Sequence, residues 1–213
     1  MIRIERFVVG EIEANCFFVT DDEENLAFLV DTGDYSFELK ERIKEFGADK
    51  VKYILLTHGH LDHIGYASEM REEFPSAKIV IGKDDAHFTN EDDLNLSSLF
   101  GMTFRHFDAD ILVEDESELA FGSKKIKVIS TPGHTKGGVC YIFGDCIFTG
   151  DTLFRGCVGR TDFPTSSKED MKKSLEKLEA LDGNYKVYCG HESNTTLDYE
   201  RKNNIYMIRK DLI

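Results

Sequence analysis

Apolar and polar residues change rhythm repeatedly along this chain, and the changes mark its elements. Residues 2–9 and 16–20 predict two strands joined through Gly10 to Asn15. After the acidic turn Asp21-Asp22-Glu23-Glu24-Asn25, residues 26–30 predict a third strand, ending in Asp31-Thr32-Gly33-Asp34. Over 35–46 the period lengthens. Phe37, Leu39, Ile43 and Phe46 make an amphipathic helix that Gly47 closes. Residues 51–57 predict a strand, and Ile64, Ala67, Met70 and Phe74 predict a helix over 64–74 that Pro75 stops. A strand is expected at 77–81, then two short helices and loop in the polar, acidic stretch 82–103. Strand candidates at 111–121 are interrupted by Glu114-Asp115-Glu116. Ile126, Val128 and Ser130 alternate with lysines in a half-exposed strand. Residues 139–143 and 146–149 pair as a hairpin around Gly144-Asp145. The range 150–167 reads as a long loop. Residues 168–181 form a helix behind Ser166-Ser167, with Met171, Leu175, Leu178 and Leu181 on one face. A short strand at 187–189 and a helical tail from Thr195 complete the chain.

Strands then two helices, twice over, predict an α+β fold. Each half contains a strand ending in an Asp/Gly turn, at Val30-Asp31-Thr32-Gly33 and at Thr149-Gly150-Asp151-Thr152, which hints at internal duplication. No Pro/Gly/Ser linker divides the chain, so residues 1–213 are expected to be a single domain.

Composition narrows the function classes. The formal charge of −14, from 26 basic and 40 acidic residues, argues against nucleic acid and against anionic membrane surfaces. It does not exclude an anionic small molecule, because a metal reverses the local sign. No apolar run reaches the roughly 18 residues of a membrane helix, and Met1-Ile2-Arg3-Ile4-Glu5-Arg6 lacks a signal peptide's apolar region. The five cysteines (16, 140, 146, 157 and 189) are odd in number and never spaced C-x-x-C. They read as reduced, mostly buried thiols of a cytoplasmic protein, with packing the expected role of Cys157 and Cys189. The expected partner is a small-molecule substrate, and the expected state a monomer or small homo-oligomer.

The chemistry is concentrated at Thr57-His58-Gly59-His60-Leu61-Asp62-His63, which places three of the seven histidines and a carboxylate in six positions. In extended chain His58 and His60 point the same way, and the turn then lets Asp62 and His63 aim at a neighbouring point. Alone, Asp62 would serve as a helix cap. But His134, Asp151 and His191 also follow strand ends beside glycines, and residues after strand ends at one sheet edge converge. We assign one metal to His58, His60 and His134, a second to Asp62, His63 and His191, and the bridge to Asp151. These N/O ligands suit two divalent ions, zinc first, with iron or manganese as alternatives. A water between two such ions becomes hydroxide at neutral pH and attacks a carbonyl, so hydrolysis is the expected reaction, with Asp62 and Asp151 serving catalysis as well as ligation. Asp31 is expected to accept backbone N–H bonds that hold the histidine turn. His87 and His106 lack ligand-like surroundings and read as structural or surface residues.

The ordered set H-x-H-x-D-H at 58–63, then His134, Asp151 and His191, with Asp31-Thr32-Gly33 and Thr131-Pro132-Gly133-His134-Thr135, resembles the metallo-β-lactamase superfamily over nearly the whole chain. The resemblance implies a four-layer αββα sandwich, two mixed β-sheets flanked by helices, with the site at one sheet edge. Asn15-Cys16-Phe17-Phe18, Gly150-Asp151-Thr152-Leu153-Phe154, Gly159-Arg160-Thr161-Asp162-Phe163 and Thr195-Thr196 with Glu200-Arg201 are most similar to the short hydrolases of the glyoxalase II group. That implies hydrolysis of a small thioester. Two departures touch glutathione: the chain ends before the group's C-terminal helical segment, and the loop after Asp151 lacks its usual Lys and Tyr. Arg160 either attracts a substrate carboxylate there or pairs with Asp162 and holds the loop. Gly-Arg-Thr-Asp-Phe is also similar to persulfide dioxygenases, which use one iron. A non-catalytic metal-binding partner domain is the third reading.

Overall fold

The computed structural model describes residues 1–213. The first sheet is made of β1 (Ile2–Val9), β2 (Ala14–Asp21), β3 (Leu26–Val30), β4 (Val51–Leu55), β5 (Lys78–Gly82) and β6 (Ile111–Val113), neighbours in that order. Its first three strands are antiparallel and β3 to β6 run parallel. The second half of the chain supplies β7 (Glu118–Phe121), β8 (Lys124–Ser130), β9 (Val139–Phe143), β10 (Cys146–Gly150), β11 (Leu153–Phe154), β12 (Cys157–Val158), β13 (Lys186–Cys189) and β14 (Thr195–Thr196). Six of these form the second sheet, in the order β14-β13-β10-β9-β8-β7, with β10 and β13 parallel and the rest antiparallel.

Period-two alternation explains the layers. Phe17 and Val19 of β2 face the second sheet and pack with Phe28, Phe121, Phe143 and Phe148, whereas Phe18 and Leu29 face the other way. The Phe28 ring meets those of Phe121, Phe143 and Phe148 edge-on at 5.3, 5.4 and 6.0 Å. Deleting such a buried aromatic costs about 3–5 kcal/mol. Helices cover the outer faces. On the first sheet lie α1 (Phe37–Phe46), α2 (Leu61–Ile64) and α3 (Ala67–Glu73), burying Leu39, Ile43, Ile64 and Met70. The short α4 (Ser97–Phe100) lies in the acidic stretch. On the second sheet α5 (Lys168–Glu179), α6 (Leu197–Asn203) and α7 (Ile205–Ile208) bury Met171, Leu175, Leu178, Leu197 and Met207. The result is an αββα sandwich. Its halves also correspond: in each, a hairpin is followed by helix and a parallel return strand, β2-β3-α1-β4 and β9-β10-α5-β13. No helix is long and apolar enough to cross a membrane.

Four local expectations are corrected. The helix expected over 64–74 is two helices, and the first begins at Leu61 within the histidine turn. It breaks because the Tyr66 N–H donates to the Thr32 carbonyl at 2.8 Å instead of continuing the ladder. The helix expected from 35 starts at Phe37 behind the cap Ser36, and Phe37 points to solvent, 58% exposed, not into the core. The strand candidates of 111–121 are β6 and β7, divided between the two sheets by the acidic interruption. The loop after Asp151 contains the hairpin β11–β12, turning at Gly156 with φ +75°.

Candidate metal centre

All seven predicted residues meet at one edge of the sandwich, beyond the C-terminal ends of strands. His58 follows β4, His60 caps α2, and Asp62 and His63 occupy its first turn. His134 follows β8, Asp151 follows β10 and His191 follows β13. Close backbone approaches position them. A Cβ on Gly33 would overlap the Asp62 carbonyl, and one on Gly190 would overlap the Asp151 carboxylate, so each site loop passes where only glycine fits.

The side chains form two groups that share an edge. In the first, His60 Nδ1 lies 2.9 Å from His134 Nε2, and the His58 ring packs against both at centroid distances of 4.9 Å. In the second, His191 Nε2 lies 3.2 Å from His63 Nε2 and 3.2 Å from Asp62 Oδ2. Asp151 stands between them: Oδ2 is 3.5 Å from His134 Nε2 and 3.6 Å from His191 Nε2, and Oδ1 is 3.3 Å from His63 Nε2.

These residues fit a pair of cations. His134 Nδ1–H donates to the Arg160 carbonyl at 2.9 Å, so its Nε2 carries a lone pair, and that lone pair faces His60. His63 is held the same way, Nδ1 lying 2.9 Å from Asp31 Oδ2. The buried atoms His58 Nε2, His60 Nε2 and Asp151 Oδ1 have no hydrogen-bond partner. Buried polar atoms left without partners are costly, and each of these three residues belongs to a group whose ligand atoms lie within 4.8 Å of one another, as a cation requires.

Charge is distributed unevenly. Burial, with His63 and His134 nearby, pushes His58 well below the usual histidine value, and burial with His134 lowers His60 to about 3. Both rings are therefore neutral and able to ligate. Burial also opposes charge on His63, but Asp62, Asp151 and Asp31 outweigh it and hold that pKa well above the usual value. His191 is raised too, burial being outweighed by the Asp62 hydrogen bond and the Asp151 charge. Burial alone would raise Asp62 and Asp151, but His63 above all keeps both low.

Asp31 does what its position at a strand end implies. At φ +53°, it accepts from the Thr57 N–H and the Thr57 hydroxyl, both at 2.8 Å, as well as facing His63. A second brace was missed. Asp85, fully buried, accepts from Gly59 N at 3.0 Å, Thr135 Oγ1 at 2.6 Å and Gly137 N at 2.6 Å, tying the His58–His60 turn to the His134 loop. Its available signal was position: it lies just beyond β5, which pairs in parallel with the strand leading to His58. Asn15 braces the third loop, donating to the carbonyls of Cys189 at 2.9 Å and Glu192 at 3.0 Å. Of the two readings of Arg160, the side chain shows the pair with Asp162, two bonds of 2.9 Å, with the guanidinium 4.3 Å over the Phe163 ring. His87 and His106 are exposed and away from the cluster, Cys189 is buried and Cys157 exposed.

A sandwich of this topology with a His/Asp cluster at its strand ends defines a class of metal-binding hydrolase folds. The chain belongs to the metallo-beta-lactamase superfamily, whose family model matches residues 9–191. It is similar to hydroxyacylglutathione hydrolase GloC of Haemophilus influenzae, 33% identical over 214 residues, covering 98% of this chain and all of that protein. Among solved structures it is similar to BLEG-1 B3 metallo-beta-lactamase, with a TM-score of 0.85 and 29% identity over 96% of this chain and 99% of that one. It is also similar to TTHA1623 in a di-iron-bound form, with a TM-score of 0.82 and 28% identity over 95% of this chain and 99% of that one.

Proposed function

We propose that this protein is a dinuclear metallohydrolase acting on a small thioester. The observation that carries the reading is Asp151, whose carboxylate touches two complete three-residue groups at once. His58, His60 and His134 would hold one ion and Asp62, His63 and His191 the other. Zinc is the first expectation, with iron supported by the di-iron form of TTHA1623. Two divalent ions held there would supply a nucleophilic water at neutral pH and polarise the carbonyl under attack.

The chain's own contribution is positioning. His58 and His60 stay unprotonated, Asp151 and Asp62 offset positive charge, and Phe88 and Phe163, at ring-centroid distances of 6.0 and 5.4 Å from His60, give the cluster an apolar wall. Thioester chemistry is supported by the glyoxalase II-like motifs and by the name of the GloC relative. A single-iron dioxygenase centre would leave one three-residue group without a role, so we place hydrolysis first. In this reading Arg160 holds the loop through Asp162, and the one partner required is the small-molecule substrate.

The test is metal content measured together with turnover on a panel of thioesters, esters and a β-lactam. About two ions per chain and thioester turnover are expected. A metal-replete protein inert toward every thioester, or one that consumes oxygen with a persulfide and holds one iron, would overturn the reading.

A further inference from the structure

A cavity of about 320 Å³ opens beside the second group of ligands, with Asp62 in its wall. It is built from the β1–β2 turn, the start of α2 and α3, and the segment after α4. Ile12, Leu61, Tyr66, Phe100 and Met102 make it apolar. Ile12, Phe100 and Met102 are 41%, 50% and 47% exposed, so these side chains remain available to a ligand. Size and lining are those of a pocket for a small organic group.

Its charge is one-sided. None of the fourteen lining residues is Lys, Arg or His, whereas Glu11, Asp34 and Glu69 line it in addition to Asp62. Glu11, Asp34 and Glu69 form no salt bridge, although most charged neighbours elsewhere on this surface are paired. Glu69 Oε2 is shielded from solvent and accepts no hydrogen bond. Glu11 and Asp34 are exposed and Glu69 is half-buried, so a carboxylate in the cavity would meet three like charges with no side-chain cation in the wall, and the only positive charge within reach would be that of ions held on the far side of Asp62. Across Ile12 a second depression reaches His191. Its single cation, Arg6, is flanked by Glu13 and Glu192, and its guanidinium donates to the Glu192 carbonyl at 2.6 Å.

We infer that the cavity is the specificity pocket of the site, taking an uncharged apolar group of the substrate and rejecting one that bears a carboxylate. This rests on the thioesterase reading and narrows it, since glutathione, with two carboxylates, becomes a poor thiol half. Ile12, Tyr66, Phe100 and Met102 supply apolar contact, and Glu11 and Glu69 supply the discrimination.

Two size-matched pairs test it on the metal-loaded protein. One pair is the S-acetyl ester of 3-mercaptopropionate against that of its methyl ester. The other is S-ethyl thiosuccinate against S-ethyl thiopentanoate. In at least one pair the neutral member should have the higher kcat/KM by about tenfold or more, and Glu11→Gln with Glu69→Gln should shrink that ratio. Equal rates in both pairs, or a ratio indifferent to the double substitution, would overturn the inference. A separate readout needs no turnover: in protein labelled with carbon-13 at the methyls of its five methionines, the Met102 signal should move with methyl 3-(ethylthio)propionate and not with the free acid. A Met102 signal that follows both equally, or neither, counts against the pocket. If all four thioesters are inert while the Met102 signal discriminates, the thioesterase reading fails and the pocket stands.

Discussion

The two halves of the candidate metal centre are built on different principles. His58, His60 and His134 are all buried and contain no carboxylate of their own. Asp62 and His191 are partly open, each with 19% of its side chain exposed, and with the buried His63 they mix imidazole and carboxylate. In the first group burial keeps His58 and His60 neutral; in the second nearby acids keep His63 and His191 basic. Their buried aspartate braces differ too: Asp85 ties the His58–His60 turn to the His134 loop, whereas Asp31 faces His63 and also holds Thr57, whose hydroxyl lies 3.1 Å from His58 Nδ1. The difference teaches that one half is suited to hold an ion firmly and the other, beside the apolar cavity, to hold one where substrate arrives.

The largest effects should come from the residues the halves share or depend on. Asp151→Ala should abolish turnover and lower the affinity of both ions, and His58→Ala should lower metal content by about one ion per chain. Each loss should exceed the roughly 10–100-fold typical of outer partners. Metal analysis with steady-state rates checks this, and an Asp151 variant that keeps both ions tightly would break the bridge.

Next come the braces. Asp85→Asn should weaken the His58/His60/His134 ion by about 10–100-fold, and Asp31→Asn, at a residue that faces His63 directly and His58 through Thr57, should weaken both, read by titration against a competing chelator. If Asp85→Asn weakened both ions equally, the two halves would be one unit.

Acidification should separate the halves more gently. His63 and His191 have raised pKa values, so as pH falls through them protons compete with metal, and affinity for that ion drops about tenfold per unit for each proton taken up. In the first half His58 lies well below the usual value and His60 near 3, so these two rings should go on ligating to lower pH. In metal-free protein the sign is opposite: the stability from His63 is fully present below its unfolded value and is lost as pH rises through its folded one. Stepwise dialysis at falling pH, counting ions retained, decides whether the order holds.

The smallest effect belongs to Arg160→Ala. The pair with Asp162 is solvent-exposed, with 64% and 63% of each side chain accessible, so metal content and melting temperature should stay close to wild type. A loss of metal would show that the Arg160 carbonyl holds His134 only while the side chain anchors the loop.

Much of this was legible in the chain. The period-two runs became strands and the hairpin at Gly144 formed as spaced. The five histidines and two aspartates of the candidate centre converged because local pattern placed each just beyond a strand end. Asp31 was legible for the same reason. What misled was also local: apolar spacing continued through 61–74, yet the helix broke, because a carbonyl 34 residues earlier, Thr32, captured the Tyr66 N–H.

Other features take their role from distant contacts. Asp85 matters only because β5 lies beside β4, which brings a residue 26 positions away to the Gly59 amide. The acidic wall of the cavity, drawn from three separate segments, is likewise a fact of assembly. Residue type and spacing determine which groups can ligate or pack, since those depend on a side chain and its nearest neighbours. Which groups are left without partners, and which charges face one another, depends on contacts between distant segments, and only the folded sandwich decides those.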